Sequence, residues 1–242
     1  MIEVKGLKKS FKDIEALKGI DLHVAKGEVL GLLGENGAGK TTTLRILATM
    51  LKPDGGTVIL DGKNVNESPQ EIRKNIGILF GGESGIYDRL TARENIAYYG
   101  ELNDMSPSEI KDRIDYLVKV LNMEEYIDRR AGKFSKGMKQ KVAIARSIIH
   151  NPDIMLFDEP TSGLDVGGAR IIQQFIETCK EEGKTVIFSS HTMSEVEKLC
   201  DRVAIINKGK IVETGYLQEL KEKYDKGMED LFLELVGEQN EL

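Results

Sequence analysis

The stretch Gly34-Glu35-Asn36-Gly37-Ala38-Gly39-Lys40-Thr41 constrains this chain more than any other, because its glycines free the backbone for a path that side chains would obstruct. Before it stands Val29-Leu30-Gly31-Leu32-Leu33, a short apolar run that reads as a buried strand. After it, Leu44, Leu47 and Leu51 recur at the spacing of one helix face, which predicts a helix over Thr41 to Leu51. Strand, glycine loop and helix together fit the pattern Gly-x-x-x-x-Gly-Lys-Thr, in which consecutive backbone N–H groups wrap a phosphate. The following helix directs its positive end at the same anion. Gly34, Asn36, Gly37, Ala38 and Gly39 are the expected cradle. Lys40 is expected to reach β- and γ-phosphates, the Thr41 hydroxyl to bind Mg²⁺, and Thr42 to offer a hydrogen bond to an α-phosphate.

A second acidic landmark lies far downstream. Ile154-Met155-Leu156-Phe157 is an apolar run that ends in Asp158-Glu159-Pro160. Two carboxylates at the end of a buried strand are costly without a compensating charge, and a nucleotide-held Mg²⁺ supplies one. Asp158 is thus the expected Mg²⁺ partner, and Glu159 the expected general base that polarises an attacking water. His191 follows the apolar strand Thr185-Val186-Ile187-Phe188-Ser189 and Ser190. Groups at the carboxyl ends of parallel strands gather at one edge, so His191 is a candidate for the γ-phosphate or the water.

The rest of the pattern defines an α/β class, with a mainly parallel sheet, an N-terminal antiparallel β part and an inserted helical segment. Strands are expected at Ile2 to Val4, Gly19 to Val24, Thr57 to Leu60 and Ile76 to Leu79. Helices are expected at Glu94 to Leu102, Ser108 to Leu121 and Lys136 to Ile149, the second introduced by Ser106-Pro107. Strand and helix alternate again from Ile154, with a helix expected from Ala169 to Glu182. We read one domain over 1–242: an α/β core over 1–84 and 151–220, a helical insertion over 85–150, and a charged helical tail over 221–242. In that tail, Leu231, Leu233, Leu235 and Val236 make no clean helical stripe.

Composition excludes several classes. A net charge of −6 argues against a broad nucleic-acid-binding surface, and no nucleic acid is expected as partner. Cys179 and Cys200 make neither a disulfide framework nor a common zinc pattern, and suit a reducing cytoplasm. No run approaches the ~18 apolar residues that span a bilayer, and the first residues lack a signal-peptide core. Any membrane role must come through another chain. Lys136, Lys139 and Lys141 read as a solvated face, and Tyr98, Tyr99 and Met123 as packing residues.

Phe134-Ser135-Lys136-Gly137-Met138-Lys139-Gln140 resembles the signature of ABC-type ATPases, whose usual form is Leu-Ser-Gly-Gly-Gln. The order of glycine loop, helical segment, signature, Asp158-Glu159, Ser162-Gly163-Leu164-Asp165 and His191 is similar to that family over residues 1 to 220. The resemblance implies two ATP molecules sandwiched between two subunits, each site completed by Ser135 and Gly137 of the partner. It implies that Asp165 and its loop communicate across the dimer, and that Phe11 stacks on adenine. The dimer would be a homodimer or a heterodimer with another cassette, cytoplasmic and peripheral on the inner face of the membrane, and separate permease chains would convert its motion into transport. One departure is expected to affect turnover and coupling: glycine stands at Gly81 and Gly82 where the family places a glutamine, with Glu83 beside it. This loop, Tyr87 to Thr91 and the signature resemble bacterial exporter ATPases, the sodium-extrusion (Nat-type) group included. Two other readings stay open: a soluble ATPase of the same superfamily acting on ribosomes or DNA, and an ATP-binding pseudoenzyme. A single cassette without a long heptad run favours transport over the former; Glu159 and His191 speak against the latter.

Overall fold

Alternation along a strand sends successive side chains to opposite faces, so a strand covered on both sides must be apolar throughout. That is the condition of β3 (Val29–Leu33), which is buried at every residue in the computed structural model, whose described residues are 1–80 and 85–237. Val29 and Leu33 join one hydrophobic core, while Leu30 and Leu32 join another. The strands β7 (Ile154–Asp158) and β8 (Thr185–Ser190) divide in the same way: Met155, Phe157, Val186 and Phe188 face the first core, Ile154, Leu156 and Ile187 the second.

These strands form the centre of a six-stranded sheet ordered β10-β9-β3-β8-β7-β6, with β6 at Ile76–Leu79, β9 at Arg202–Asn207 and β10 at Lys210–Tyr216. All its pairings are parallel except β9 with β10. A four-stranded antiparallel sheet, ordered β2-β1-β4-β5, is built from β1 (Ile2–Phe11), β2 (Ile14–Val24), β4 (Gly55–Leu60) and β5 (Lys63–Asn64). Its apolar residues Ile2, Val4, Leu17 and Val58 share the second core with Leu44 and Leu47 of α1 (Lys40–Leu47).

After the short α2 (Pro69–Arg73), the helices α3 (Ala92–Leu102), α4 (Pro107–Val120) and α5 (Lys136–Ser147) pack on the other side and contribute to the first core. Both α3 and α4 open with reciprocal caps, Thr91 with Glu94 and Ser106 with Glu109, which satisfy backbone donors otherwise left bare. The remaining helices are α6 (Val166–Glu181), α7 (Met193–Leu199), α8 (Leu217–Tyr224) and α9 (Met228–Gly237). Phe157 is fully buried, its ring centroid 6.5 Å from that of Phe175 on α6, and it directly precedes Asp158. Phe157→Ala is expected to cost about 3–5 kcal/mol of folding stability, measured by denaturant unfolding.

Several elements depart from the sequence reading. The helix after the glycine loop stops at Leu47 rather than Leu51, because Thr49 turns left-handed at φ 58°. The first two strands are longer than expected, since β1 and β2 pair as one hairpin from Ile2↔Val24 to Phe11↔Ile14. The helix expected from Ala169 begins at Val166, capped by Asp165. In α9 the buried residues are Met228, Leu231, Phe232 and Val236, a regular helical stripe, while Leu233 is exposed. Lys141 is not solvated: it is buried, and its ammonium donates to the Asn122 carbonyl at 3.3 Å. Met123 is fully buried, as expected. Among the described residues, no helix is long and apolar enough to cross a membrane.

Candidate nucleotide site

The glycine loop joins β3 to α1, and its glycines are fixed by close approach. A Cβ on Gly34 would lie 2.4 Å from the Ile206 carbonyl oxygen. Gly39, at φ 118°, would put one 2.8 Å from Leu17. The loop is thus pressed between β9 and the β1–β2 hairpin, with Ala38 buried and Asn36 and Gly37 exposed. A cleft of about 120 Å³ opens on it, lined by Ala16, Glu35, Asn36, Gly37, Gly39, Lys40, Thr41, Thr42 and Glu159. Phe11 does not line that cleft; it is exposed at the tip of the hairpin that supplies Ala16.

Lys40 is buried, and its ammonium donates to the carbonyls of Gly34 at 2.6 Å and Glu35 at 3.1 Å. Burial pushes its pKa down, opposed by the charges of Glu159 and Asp158. The Thr41 hydroxyl donates to Asp158 Oδ2 at 2.8 Å, which joins the first turn of α1 to the end of β7. The other carboxylate oxygen accepts from Ser189 Oγ at 2.6 Å, and Ser189 Oγ accepts from the Glu159 N–H at 2.9 Å. Strand register makes this knot possible, since Asp158 pairs with Ser189 across β7 and β8.

Glu159 leaves the strand at φ 48°, a left-handed conformation that costs roughly 1–2 kcal/mol for a side-chain-bearing residue. Its carboxylate stands 3.8 Å from Lys40 Nζ and 3.4 Å from His191 Nδ1. The side chain is 25% exposed and that of His191 57%, so both reach solvent. Glycine loop, Lys40, Thr41, Asp158, Glu159 and His191 thus meet at the carboxyl ends of β3, β7 and β8.

Ser135, Gly137 and Asp165 lie elsewhere. Ser135 is the exposed N-cap of α5, its hydroxyl accepting from the Met138 N–H at 3.2 Å. A Cβ on Gly137 would meet nothing among the described residues nearer than 4.0 Å, so packing among them does not demand glycine there. Asp165 caps α6, accepting from the Gly168 N–H at 2.6 Å. The start of α5 is tied to the region after β7, for Gln140 Nε2 donates to the Pro160 carbonyl at 2.8 Å. Gly81, Gly82 and Glu83 lie outside the described residues. The sequence reading missed Ser189, Ser190, Thr161 and Glu195, and quoted Gln140 in the signature without a role; hydroxyls and a buried helix carboxylate carry no spacing signal until the strand register is known.

A mainly parallel sheet with a glycine loop and a Thr–Asp bridge at its carboxyl edge defines a P-loop nucleoside triphosphatase. Residues 17–162 match the family model described as ABC transporter. The chain belongs to that family and is its ATP-binding, ATP-hydrolysing component. It is 49% identical over 226 residues to the ABC transporter ATP-binding protein NatA of Bacillus subtilis, covering 92% of each chain. It is 36% identical to the Nod factor export ATP-binding protein I of a Rhizobium species, covering 92% of this chain and 73% of that one. A dimeric ATP-binding cassette solved in a post-hydrolysis state with ADP and Pi superposes with a TM-score of 0.81 at 29% identity, covering 89% of this chain and 98% of the other.

Proposed function

We propose that this chain powers export across a membrane through separate membrane-spanning chains, working as a pair of cassettes that enclose ATP between them. The observation that carries the reading is the convergence of Lys40, the Thr41–Asp158 bridge and the Glu159–His191 pair on the glycine loop. The loop N–H groups and Lys40 would bind the phosphates, with Thr42 beside them. Phe11, at the hairpin tip, would stack on the base. Glu159 would take a proton from the attacking water, and His191 would hold the γ-phosphate and Glu159 in register.

The donor set fits a magnesium ion, which is usually bound by one or two carboxylates together with substrate phosphates rather than by a protein cage. Thr41 and Asp158 would hold it, and among the described residues no cluster of three or more His, Cys, Asp or Glu side chains offers another site. When bound, it would neutralise negative charge on the phosphates.

The other half of each site would come from a second cassette, either another copy of this chain or a related one. Ser135 is exposed at a helix N-terminus, and Gly137, two residues on, keeps clear a surface that nothing among the described residues fills. Asp165 and the exposed Ser162 and Gly163 would meet the same partner. A relative that carries export in its name supports the direction of transport. A cavity of about 270 Å³ between β6, α3 and α5, lined by Phe80, Tyr99, Arg146 and His150 among others, supports a docking place for the membrane chain. The protein would then sit on the cytoplasmic face of that membrane.

Ser135→Arg is the test of the shared site. The larger cation would crowd the partner's nucleotide, so ATP-dependent pairing should weaken by tenfold or more (about 1.4 kcal/mol) while a single chain still binds ATP. Light scattering with and without ATP reads this; a pair of normal stability would sink the sandwich.

A further inference from the structure

A carboxylate outside the site described above joins the two loops that carry its reacting groups. Glu195 sits in the first turn of α7 and is only 8% exposed. Its Oε1 accepts from the Thr161 hydroxyl and from Gln173 Nε2 at 3.4 Å, and its Oε2 accepts from Ser190 Oγ at 2.9 Å. Ser190 Oγ in turn accepts from the Thr192 N–H at 2.9 Å. Thr161 lies two residues after Glu159, and Ser190 and Thr192 flank His191. Among the described residues no cation pairs with Glu195 in a salt bridge, so these hydrogen bonds alone offset its burial.

We propose that Glu195 is a positioning residue for ATP hydrolysis, holding the loop after Glu159 and the loop of His191 in the mutual register that leaves His191 Nδ1 3.4 Å from the Glu159 carboxylate. The proposal rests on the roles given to Glu159 and His191 above. The chemistry of the clamp favours a carboxylate. All three of its side-chain partners act as donors, and an ionised carboxylate is acceptor-only. Glutamine in its place would turn an N–H₂ group toward one arm. Ser190 Oγ accepts from Thr192 and keeps a second lone pair that can take the amide N–H. Its own O–H then loses the carboxylate acceptor, and the charge-assisted bonds of the clamp become neutral ones about half as strong. The hold on the two loops would weaken while the volume stayed nearly unchanged. The Asp158–Ser189–Glu159 knot secures the strand ends themselves, so what Glu195 adds is the placement of the residues beyond them.

The experiment compares Glu195→Gln, His191→Ala and the double variant in the full chain, with kcat, KM for ATP and melting temperature measured for each. Glu195→Gln is expected to lower kcat by about tenfold or more with KM within about twofold, because a loop misplaced by an ångström can cost up to ~10²-fold. In the His191→Ala background the same change should add little, since what it positions is already gone. Undiminished kcat in Glu195→Gln, or a loss that multiplies in full with that of His191→Ala, would overturn the proposal while leaving the site reading intact. Wild-type turnover in His191→Ala alone would remove His191 from the reaction, and the positioning role of Glu195 with it. Should Glu195→Gln fail to fold, Ser190→Ala deletes one arm of the clamp and is held to the same pattern.

Discussion

Glu159→Gln is expected to slow ATP turnover by about 10²-fold or more while nucleotide binding stays close to the wild-type level. The substitution keeps the side chain's size and its place at the end of β7, but an amide cannot take a proton from water. Nothing in the phosphate cradle is removed by it: the Thr41–Asp158 bond and the Glu159 N–H donated to Ser189 do not involve the carboxylate. The 3.8 Å approach to Lys40 loses its charge, and its removal should not weaken attraction for an anionic ligand. Phosphate release and fluorescent-nucleotide titration on one preparation separate the two effects. Wild-type turnover in this variant would take Glu159 out of the base role.

Lys40→Ala is expected to act on the opposite quantity. Lys40 is the only cation lining the cleft among the described residues, and it is held there by two loop carbonyls and the Glu159 carboxylate. Removing a buried charge that faces a charged partner costs about 2–5 kcal/mol in a binding step, so ATP affinity should fall by about 30-fold to several thousandfold. The Gly34 and Glu35 carbonyls lose a donor as well, so the melting temperature is measured alongside; a folded variant of unchanged nucleotide affinity would count against the phosphate-cradle reading. On the proposed reading the two variants would divide the site: Lys40 for holding ATP, Glu159 for cleaving it.

How much of this was legible in the sequence follows from how local each signal is. The glycine loop was legible because its residues, its strand and its helix are contiguous, and the close packing at Gly34 and Gly39 gives the physical reason for glycine there. The apolar runs of β3, β7 and β8 were legible because both faces of a parallel sheet are covered. The full lengths of β1 and β2 were not, because their charged outer parts, Lys8 and Lys9 in one and Glu15 and Lys18 in the other, are ordered by the pairing of the two strands. The α9 stripe was missed because Met228 and Phe232 complete it, and only the docked helix shows that Leu233 is not part of it.

The site divides along the same line. Asp158, Glu159 and His191 were legible as polar residues at the ends of apolar runs. Ser189 and Glu195 were not, because their value depends on the β7–β8 register and on how α7 returns to the sheet. The expectations for Ser135 and Gly137 came from the order of motifs; a single chain supplies the exposure of Ser135 and the open surface at Gly137, and the nucleotide they would meet would belong to another cassette.

The most direct test of the account is to tag this chain in its own cell, extract the membranes gently with detergent, and identify by mass spectrometry what is purified with it. The account predicts a stoichiometric chain with several membrane spans, together with a second cassette of this or a related sequence. Recovery with ribosomes or DNA and without a membrane chain would contradict it.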